Sequence, residues 1–166
     1  MRGKPLDLQG DQAHVGSYVR DFKVVDRGFK TVRFSDFKGK VCLISAVPSL
    51  DTKVCSLQTK RFNSEIEKLP SDVFVMTISM DLPFAQKRFC ETEKIDRMLV
   101  LSDHVWREFG SHYGILIKDM GLLARAIFII GQKGTIVYMQ IVPDLSQEPD
   151  YDSALKALRE AVGIKQ

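Results

Sequence analysis

The chain has 166 residues, of which 45% are hydrophobic and 27% are charged, values that exclude a disordered chain, a collagen and a disulfide-rich miniprotein. Its net charge is +3, and because basic and acidic residues are interspersed, the charge disfavours a nucleic-acid or membrane-surface partner. The longest apolar runs, Val41–Val47 and Ala126–Ile130, are too short to span a membrane, and we expect no secretory signal. We expect one domain over residues 1–166.

The first elements are extended. Phe22–Val25 and Phe29–Phe34 flank Asp26-Arg27-Gly28, where the glycine accepts the positive φ of a hairpin turn. The nearly continuous apolar run Val41–Val47 then predicts a strand that is buried on both faces, and Pro48 ends it. The chain therefore begins with a hairpin and continues into a buried strand.

Helices and buried strands alternate after that strand. Residues 53–69 predict a helix with Asp51 or Thr52 as its N-cap, because Val54, Leu57, Phe62, Ile66 and Leu69 roughly follow a 3.6-residue period. Val73–Met80 predicts a second buried strand, and Pro83 predicts the first turn of a short helix carrying Phe84, Phe89 and Cys90.

The last elements complete the pattern. A strand at Met98–Leu101 precedes a helix expected to carry Trp106, Phe109 and Tyr113 on one buried face. Ala124–Ile130 and Thr135–Val142 predict a hairpin around Gly131–Gly134, and Asp150 caps a final helix whose buried side carries Tyr151, Leu155, Leu158 and Val162. This order predicts an α/β domain with a thioredoxin-like fold, a mixed central sheet flanked by helices, and an N-terminal β-hairpin extension.

The chain has three cysteines and three histidines, which are the residues that indicate the cellular compartment and any metal site. An odd number of cysteines does not suit a secreted disulfide framework, and the sequence contains no Cys-x-x-Cys pair. We therefore expect a reducing compartment, the cytoplasm. The histidines show no metal-ligand spacing with each other or with cysteine, so we expect no metal and no cofactor.

Cys55 falls in the first turn of the helix predicted after Pro48. Free backbone N–H groups and the positive end of the helix dipole stabilise a thiolate at this position, which suits a nucleophile. Thr52 lies three residues earlier, where its hydroxyl caps the helix or donates a hydrogen bond to an oxygen substrate beside the sulfur. The alternative on position alone is a packed core cysteine with a capping threonine.

The other two cysteines differ in their surroundings. Cys90 has polar and charged neighbours, which predicts a thiol near the surface that either condenses with a sulfenic acid on Cys55 or is a bystander. Cys42 lies within the apolar strand, and we expect it to be inert packing.

Arg125 interrupts the apolar segment from Leu122 to Ile130. A buried guanidinium requires an anion or several acceptors, which a thiolate and the oxygen of a substrate would supply. A structural ion pair with an acidic residue is the alternative.

Several segments together resemble the peroxiredoxins, and among them the bacterial thiol peroxidases, which are atypical two-cysteine peroxiredoxins. Pro48, Thr52 and Cys55 form the family's Pro-x-x-x-Thr-x-x-Cys motif. The matching segments are residues 48–55, 79–90, 101–103, 121–126 and 148–151, so the resemblance covers nearly the whole chain.

The resemblance implies a role for each matching residue. Cys55 corresponds to the peroxidatic cysteine and Cys90 to the resolving cysteine, while Thr52 and Arg125 hold the peroxide and activate the thiolate, and Pro48 shields it. It also implies a homodimer that reduces hydrogen peroxide and organic hydroperoxides through an intramolecular Cys55–Cys90 disulfide recycled by thioredoxin.

Two other functions remain open on the sequence. A redox-sensing thioredoxin-like binding module would use the same cysteines without peroxidase turnover. A thiol–disulfide oxidoreductase is the second, and the missing Cys-x-x-Cys pair argues against it.

Overall fold

A computed structural model describes residues 4–164 of the chain. The strands of this part are β1 (Leu8–Gln9), β2 (Lys23–Val25), β3 (Thr31–Arg33), β4 (Val41–Ala46), β5 (Val73–Ser79), β6 (Leu99–Ser102), β7 (Leu116–Ile117), β8 (Leu122–Leu123), β9 (Ala126–Ile130) and β10 (Ile136–Ile141). The α-helices are α1 (Lys53–Glu65), α2 (Pro83–Glu93), α3 (Glu108–His112) and α4 (Tyr151–Ala161). None of these described helices has the length and apolar character that a membrane crossing requires.

Seven strands form a central mixed sheet in the order β10-β9-β4-β5-β6-β2-β3. β4, β5 and β6 are parallel, whereas β9 and β10 on one side and β2 and β3 on the other add antiparallel pairs. This architecture confirms the predicted thioredoxin-like fold with an N-terminal hairpin. The small antiparallel sheet β1-β7-β8 was not predicted, because strands of two residues are too short to show a period of two.

The central sheet separates two hydrophobic layers. Alternate side chains of β4 point into opposite layers, so Cys42 and Ile44 lie on one face and Leu43 on the other. The layer around Leu43 is covered by α1, α2 and α4, and it contains both Cys55 and Cys90. Two of the three cysteines therefore share one layer, and Cys42 is held on the opposite side of the sheet.

Two predicted helices differ from the observed ones. The helix predicted over residues 53–69 ends at Glu65 and continues as a tighter 3₁₀ turn, and Leu57 is exposed because Gln58 and Thr59 occupy the buried face instead. α3 begins only at Glu108, since the preceding residue has a positive φ. The prediction that Trp106 lies on the buried face was therefore wrong: its ring is partly exposed beneath the ammonium of Lys23.

A buried carboxyl group shapes the connection between β6 and α3. Asp103 is fully buried and accepts backbone hydrogen bonds from Phe109 N at 3.1 Å and Gly110 N at 2.8 Å. Burial raises the pKa of Asp103 to about 7, although both hydrogen bonds oppose the shift. The folded protein consequently favours the protonated form more strongly than the unfolded chain does.

We expect this group to make the free energy of unfolding depend on pH. The pKa of Asp103 is about 7 in the folded protein and 3.8 in the unfolded chain. The contribution of this group to the free energy of unfolding is therefore fully present below pH 3.8. It is lost as the pH rises through 7, and the total loss is up to about 4 kcal/mol. Urea unfolding at several pH values measures this slope. Asp103→Asn should flatten it, whereas the exposed Asp72→Asn should not. Equal slopes in wild type and Asp103→Asn would contradict the assignment.

Candidate active site

Cys55 lies in the first turn of α1 with its side chain fully buried. Thr52 is the N-cap, and its hydroxyl accepts from Cys55 N at 3.4 Å and donates to the Ser49 carbonyl at 3.1 Å. The predicted capping role of Thr52 is therefore present in this structure. The sulfur lies where unpaired N–H groups of the helix start favour negative charge.

Hydrogen bonds to a residue just after β5 hold the loop that precedes Cys55. The carboxylate of Asp81, which follows β5, accepts from Ser49 Oγ at 2.7 Å and from Leu50 N at 2.8 Å. The backbone carbonyl of Asp81 accepts from Ser102 Oγ at 2.6 Å, which links the same point to β6. Pro48, at the start of this loop, is buried. Because the parallel strands β4 and β5 end at the same edge of the sheet, the Asp81 carboxylate after β5 can fix the loop that follows β4.

Arg125 connects the segment between β10 and α4 to the surroundings of Cys55. It is 1% exposed, and its Nη2 lies 3.5 Å from Cys55 Sγ and donates to the Leu145 carbonyl at 2.7 Å. Its Nη1 donates to Gln58 Oε1 at 2.8 Å. Since these partners are two neutral oxygens and one sulfur, the alternative of a structural ion pair is not found among residues 4–164.

One donor of this guanidinium has no partner. Arg125 Nε is buried and lacks a hydrogen-bond acceptor within the described part of the chain. Buried donors are almost always satisfied, so an orphaned N–H beside a cysteine sulfur marks a position for an acceptor. Arg125 thus keeps one buried donor that is available to an acceptor at this site.

Gln58 is a site residue that the sequence analysis missed. Its amide accepts from Arg125, and Nε2 donates to Ser45 Oγ at 2.7 Å, so it orients the guanidinium from a fully buried position. Two signals could have identified the pair. Gln58 is a polar residue one helical turn after Cys55, and Ser45 interrupts the apolar run of β4.

Cys90 is not near the surface, and that prediction was wrong. The residue is 3% exposed, and burial raises the pKa of its thiol. The polar neighbours were misleading because Gln86 also points inward, donating from Nε2 to Ser79 Oγ at 3.1 Å and to the Leu101 carbonyl at 2.8 Å. Residues four apart share a helix face, so Cys90 follows Gln86 into the interior.

The structure brings Cys55 and Cys90 into one hydrophobic layer without bonding them. Both thiols are free. A cleft of about 460 Å³ separates the start of α1 from α2, and Lys60 on α1 pairs with Glu93 on α2 at 2.9 Å. Cys42 is fully buried in the other layer, and burial raises its pKa to about 12, which fits the inert role expected of it.

A metal centre is not formed by the described residues. No group of three or more His, Cys, Asp or Glu side chains in residues 4–164 is placed to hold a metal ion.

Comparison with known proteins identifies the family. The redoxin family model matches residues 14–155. A thiol peroxidase from Listeria innocua is 46% identical over 157 residues, which cover 95% of this chain and 94% of that protein. A thiol peroxidase from Staphylococcus aureus is 44% identical over 158 residues, covering 95% of each chain.

Solved structures agree with these sequence relationships. A peroxiredoxin-like protein from Aquifex aeolicus superposes with a TM-score of 0.89 at 41% identity, covering 96% of this chain and 94% of that one. A thiol peroxidase from Chromobacterium violaceum shares the fold, with a TM-score of 0.86 at 21% identity over 98% of this chain and 95% of that one. On the family match and these relatives, the chain belongs to the redoxin family, within its thiol peroxidase group.

Proposed function

We propose that this protein is a thiol-dependent peroxidase that reduces hydrogen peroxide and organic hydroperoxides through Cys55. The observation that carries the proposal is the 3.5 Å contact between Cys55 Sγ and a buried arginine that has no carboxylate partner in the described chain. The thiol peroxidase relatives support the same activity. Catalysis of this kind requires a thiolate and fixed donors aimed at the oxygen that accumulates charge.

In the first step, the Cys55 thiolate attacks the terminal oxygen of the hydroperoxide. The S–O bond forms as the O–O bond breaks, the sulfur is oxidised to a sulfenic acid, and the leaving oxygen takes a proton to become water or an alcohol. Arg125 Nε, which lacks an acceptor, is the donor we assign to the peroxide. Rotation of the Thr52 hydroxyl away from Ser49 would provide a second donor.

In the second step, Cys90 condenses with the sulfenic acid to give an intramolecular disulfide. Cys90 lies in the last turn of α2, where its carbonyl accepts from the N–H groups of Lys94 and Ile95. The last turn of a helix opens more readily than its centre, and a disulfide needs Cα atoms within roughly 7 Å. We therefore assign the required movement to the C-terminal turn of α2.

Thioredoxin is the reductant we propose for this disulfide, in the cytoplasm, where an odd set of cysteines stays reduced. We also propose a homodimer. Large side chains that are exposed near the carboxyl ends of β5 and β6 supply an apolar surface for it: Phe29, Leu82, Phe84, Val105 and Trp106. Exposed apolar side chains are typical of protein interfaces where they cluster, and the rings of Phe29 and Phe84 are in contact.

We expect the protein to consume hydrogen peroxide and cumene hydroperoxide when thioredoxin, thioredoxin reductase and NADPH are supplied. Cys55→Ser should abolish NADPH oxidation because it removes the nucleophile. Cys42→Ala is the matched control and should retain activity, since Cys42 lies in the opposite hydrophobic layer. Circular dichroism verifies that each variant is folded.

Two results would reject the peroxidase proposal. Full activity in Cys55→Ser would exclude this cysteine as the nucleophile. Stoichiometric oxidation of Cys55 without turnover in the presence of thioredoxin would favour the redox-sensing binding module.

Arg125→Gln should slow the reaction of Cys55 with peroxide by on the order of 10²–10³-fold, because the site loses its fixed positive donor. It should also slow iodoacetamide alkylation of Cys55 near neutral pH, since the thiolate loses a neighbouring charge. Arg125→Lys should recover part of both rates. Arg97→Gln, at an exposed arginine outside the site, is the control. Unchanged alkylation in Arg125→Gln would exclude the activating role.

Mild peroxide treatment should link Cys55 to Cys90 within one chain and leave Cys42 as a free thiol. The reason is the layering, which places Cys55 and Cys90 together and Cys42 across the sheet. Non-reducing gels and peptide mass mapping measure the product. Disulfide-linked dimers as the main species, or a bridge that includes Cys42, would contradict the intramolecular mechanism.

A further inference from the structure

A chain of hydrogen bonds leads from a partly buried histidine to the loop that precedes α1. His104 lies in the turn that follows β6, and its Nδ1 is 2.7 Å from Ser102 Oγ. Ser102 Oγ donates to the Asp81 carbonyl at 2.6 Å. The Asp81 carboxylate in turn accepts from Ser49 Oγ and Leu50 N. His104 is therefore connected to that loop although it lies outside it.

The acceptors in this chain decide where its protons lie. The Asp81 carbonyl can only accept, so the single hydroxyl proton of Ser102 points to it. The hydroxyl oxygen then faces His104 Nδ1 as an acceptor, which requires a proton on Nδ1. The backbone N–H of His104 also points to Ser102 Oγ, at 3.4 Å. The imidazole thus donates to Ser102 and directs the serine hydroxyl toward Asp81.

The ring of His104 also packs against the N-terminal hairpin. It meets the ring of Phe29 edge-on, with centroids 6.3 Å apart and an interplanar angle of 85°. The ring of Phe29 lies in turn against that of Phe84 in the first turn of α2, with centroids 5.1 Å apart. The imidazole is therefore contacted on its ring as well as at Nδ1.

The loop transmits this constraint to the start of α1. The Ser49 carbonyl accepts from Thr52 N and from Thr52 Oγ1, both at 3.1 Å. Ser49 Oγ, which is bound to Asp81, accepts from Asp51 N at 3.2 Å. Thr52 Oγ1 itself accepts from Cys55 N. The position of the Thr52 hydroxyl beside Cys55 therefore depends on Asp81 and on the groups that hold it.

We propose that His104 is a positioning residue for the reaction of Cys55 with peroxide. It acts through Ser102 and Asp81 on the loop that ends at Thr52. The proposal rests on the proposed peroxidase function and deepens it, because it names a group outside the site that places the Thr52 hydroxyl for the peroxide. A donor that is held by a supporting network meets the reacting oxygen at less cost than one that has to be reoriented.

The two donors of the site are held by different groups. Arg125 is bound by Gln58 and by the Leu145 carbonyl, and neither of these belongs to the chain that starts at His104. The charge beside the Cys55 sulfur should therefore survive the loss of His104, whereas the placement of the Thr52 hydroxyl should not. General loosening of the fold would act differently, because it would expose the buried thiol to alkylating reagents.

The test compares His104→Leu, which removes the side-chain donor, with His104→Asn, whose amide nitrogen branches from Cγ as Nδ1 does. His14→Leu is the matched control, since it removes an exposed histidine that is not part of the chain. Rapid mixing with hydrogen peroxide, acid quench and mass analysis measure the rate at which Cys55 is oxidised. Iodoacetamide alkylation measures the reactivity of the same thiol without peroxide. Amide hydrogen exchange, followed by NMR, reports on the Leu50 N–H that Asp81 accepts.

His104→Leu should slow oxidation of Cys55 by peroxide about fivefold, the effect of losing one hydrogen bond. It should leave the alkylation rate of Cys55 unchanged and speed the exchange of the Leu50 amide. His104→Asn should recover most of the peroxide rate, and His14→Leu should match wild type. In a Thr52→Val background, His104→Leu should cause no further loss, because both substitutions act on the same donor.

Oxidation of Cys55 at the wild-type rate in His104→Leu would overturn the positioning role. The same fivefold loss in the Thr52→Val background, or faster alkylation of Cys55, would overturn it too, because either result assigns His104 to the stability of the fold. If wild-type Cys55 does not react with peroxide, the peroxidase proposal fails, while exchange of the Leu50 amide still tests the chain from His104. The two failures are therefore distinguishable.

Discussion

The contact between the Arg125 guanidinium and Cys55 Sγ is the interaction on which this site depends. A buried cation requires compensation, and here it comes from the Leu145 carbonyl, the Gln58 amide and the sulfur. Cys55 and Gln58 lie on α1, whereas Leu145 lies between β10 and α4, so the fold has to hold two separate segments within hydrogen-bond distance of Arg125. Gln58 is in turn held by Ser45, so the central sheet fixes the arginine through one amide.

The cysteines of α1 and α2 are shielded from solvent in the same layer. Cys55 and Cys90 occupy the same apolar layer as free thiols, and each is nearly or fully inaccessible to solvent. The disulfide proposed between them joins two buried thiols on different helices, and for this reason the proposed second step includes opening of the last turn of α2.

The connections at the carboxyl ends of the parallel strands are tied to each other. Asp81 holds the loop before Cys55 and is bound through its carbonyl to Ser102, while β6 pairs with β2 at Val25 and Ser102. The N-terminal hairpin is thereby positioned next to α2. The loop before Cys55, the helix α2 and the hairpin turn are consequently connected at one edge of the sheet.

The sequence by itself determined the elements whose signals are local. The apolar run of β4, the helix start at Thr52 and Cys55, the glycine turns and the alternation of strands with helices all follow from neighbouring residues. The motif around Cys55 and the other matching segments were together sufficient to identify the family before any contact was known. Arg125 was recognisable as unusual because a charge interrupts an apolar segment, but its partners were not.

Only the tertiary structure decided which distant residues meet. Arg125 contacts a sulfur 70 positions earlier, and Phe29 in the N-terminal hairpin packs on Phe84 of α2. The polar neighbours of Cys90 predicted exposure, yet Gln86 and Cys90 face inward because Ser79 Oγ and the Leu101 carbonyl satisfy the buried amide. Trp106 was misplaced because a positive φ at Arg107 delays the start of α3. Such outcomes depend on long-range packing and on backbone geometry, which no local pattern of residues encodes.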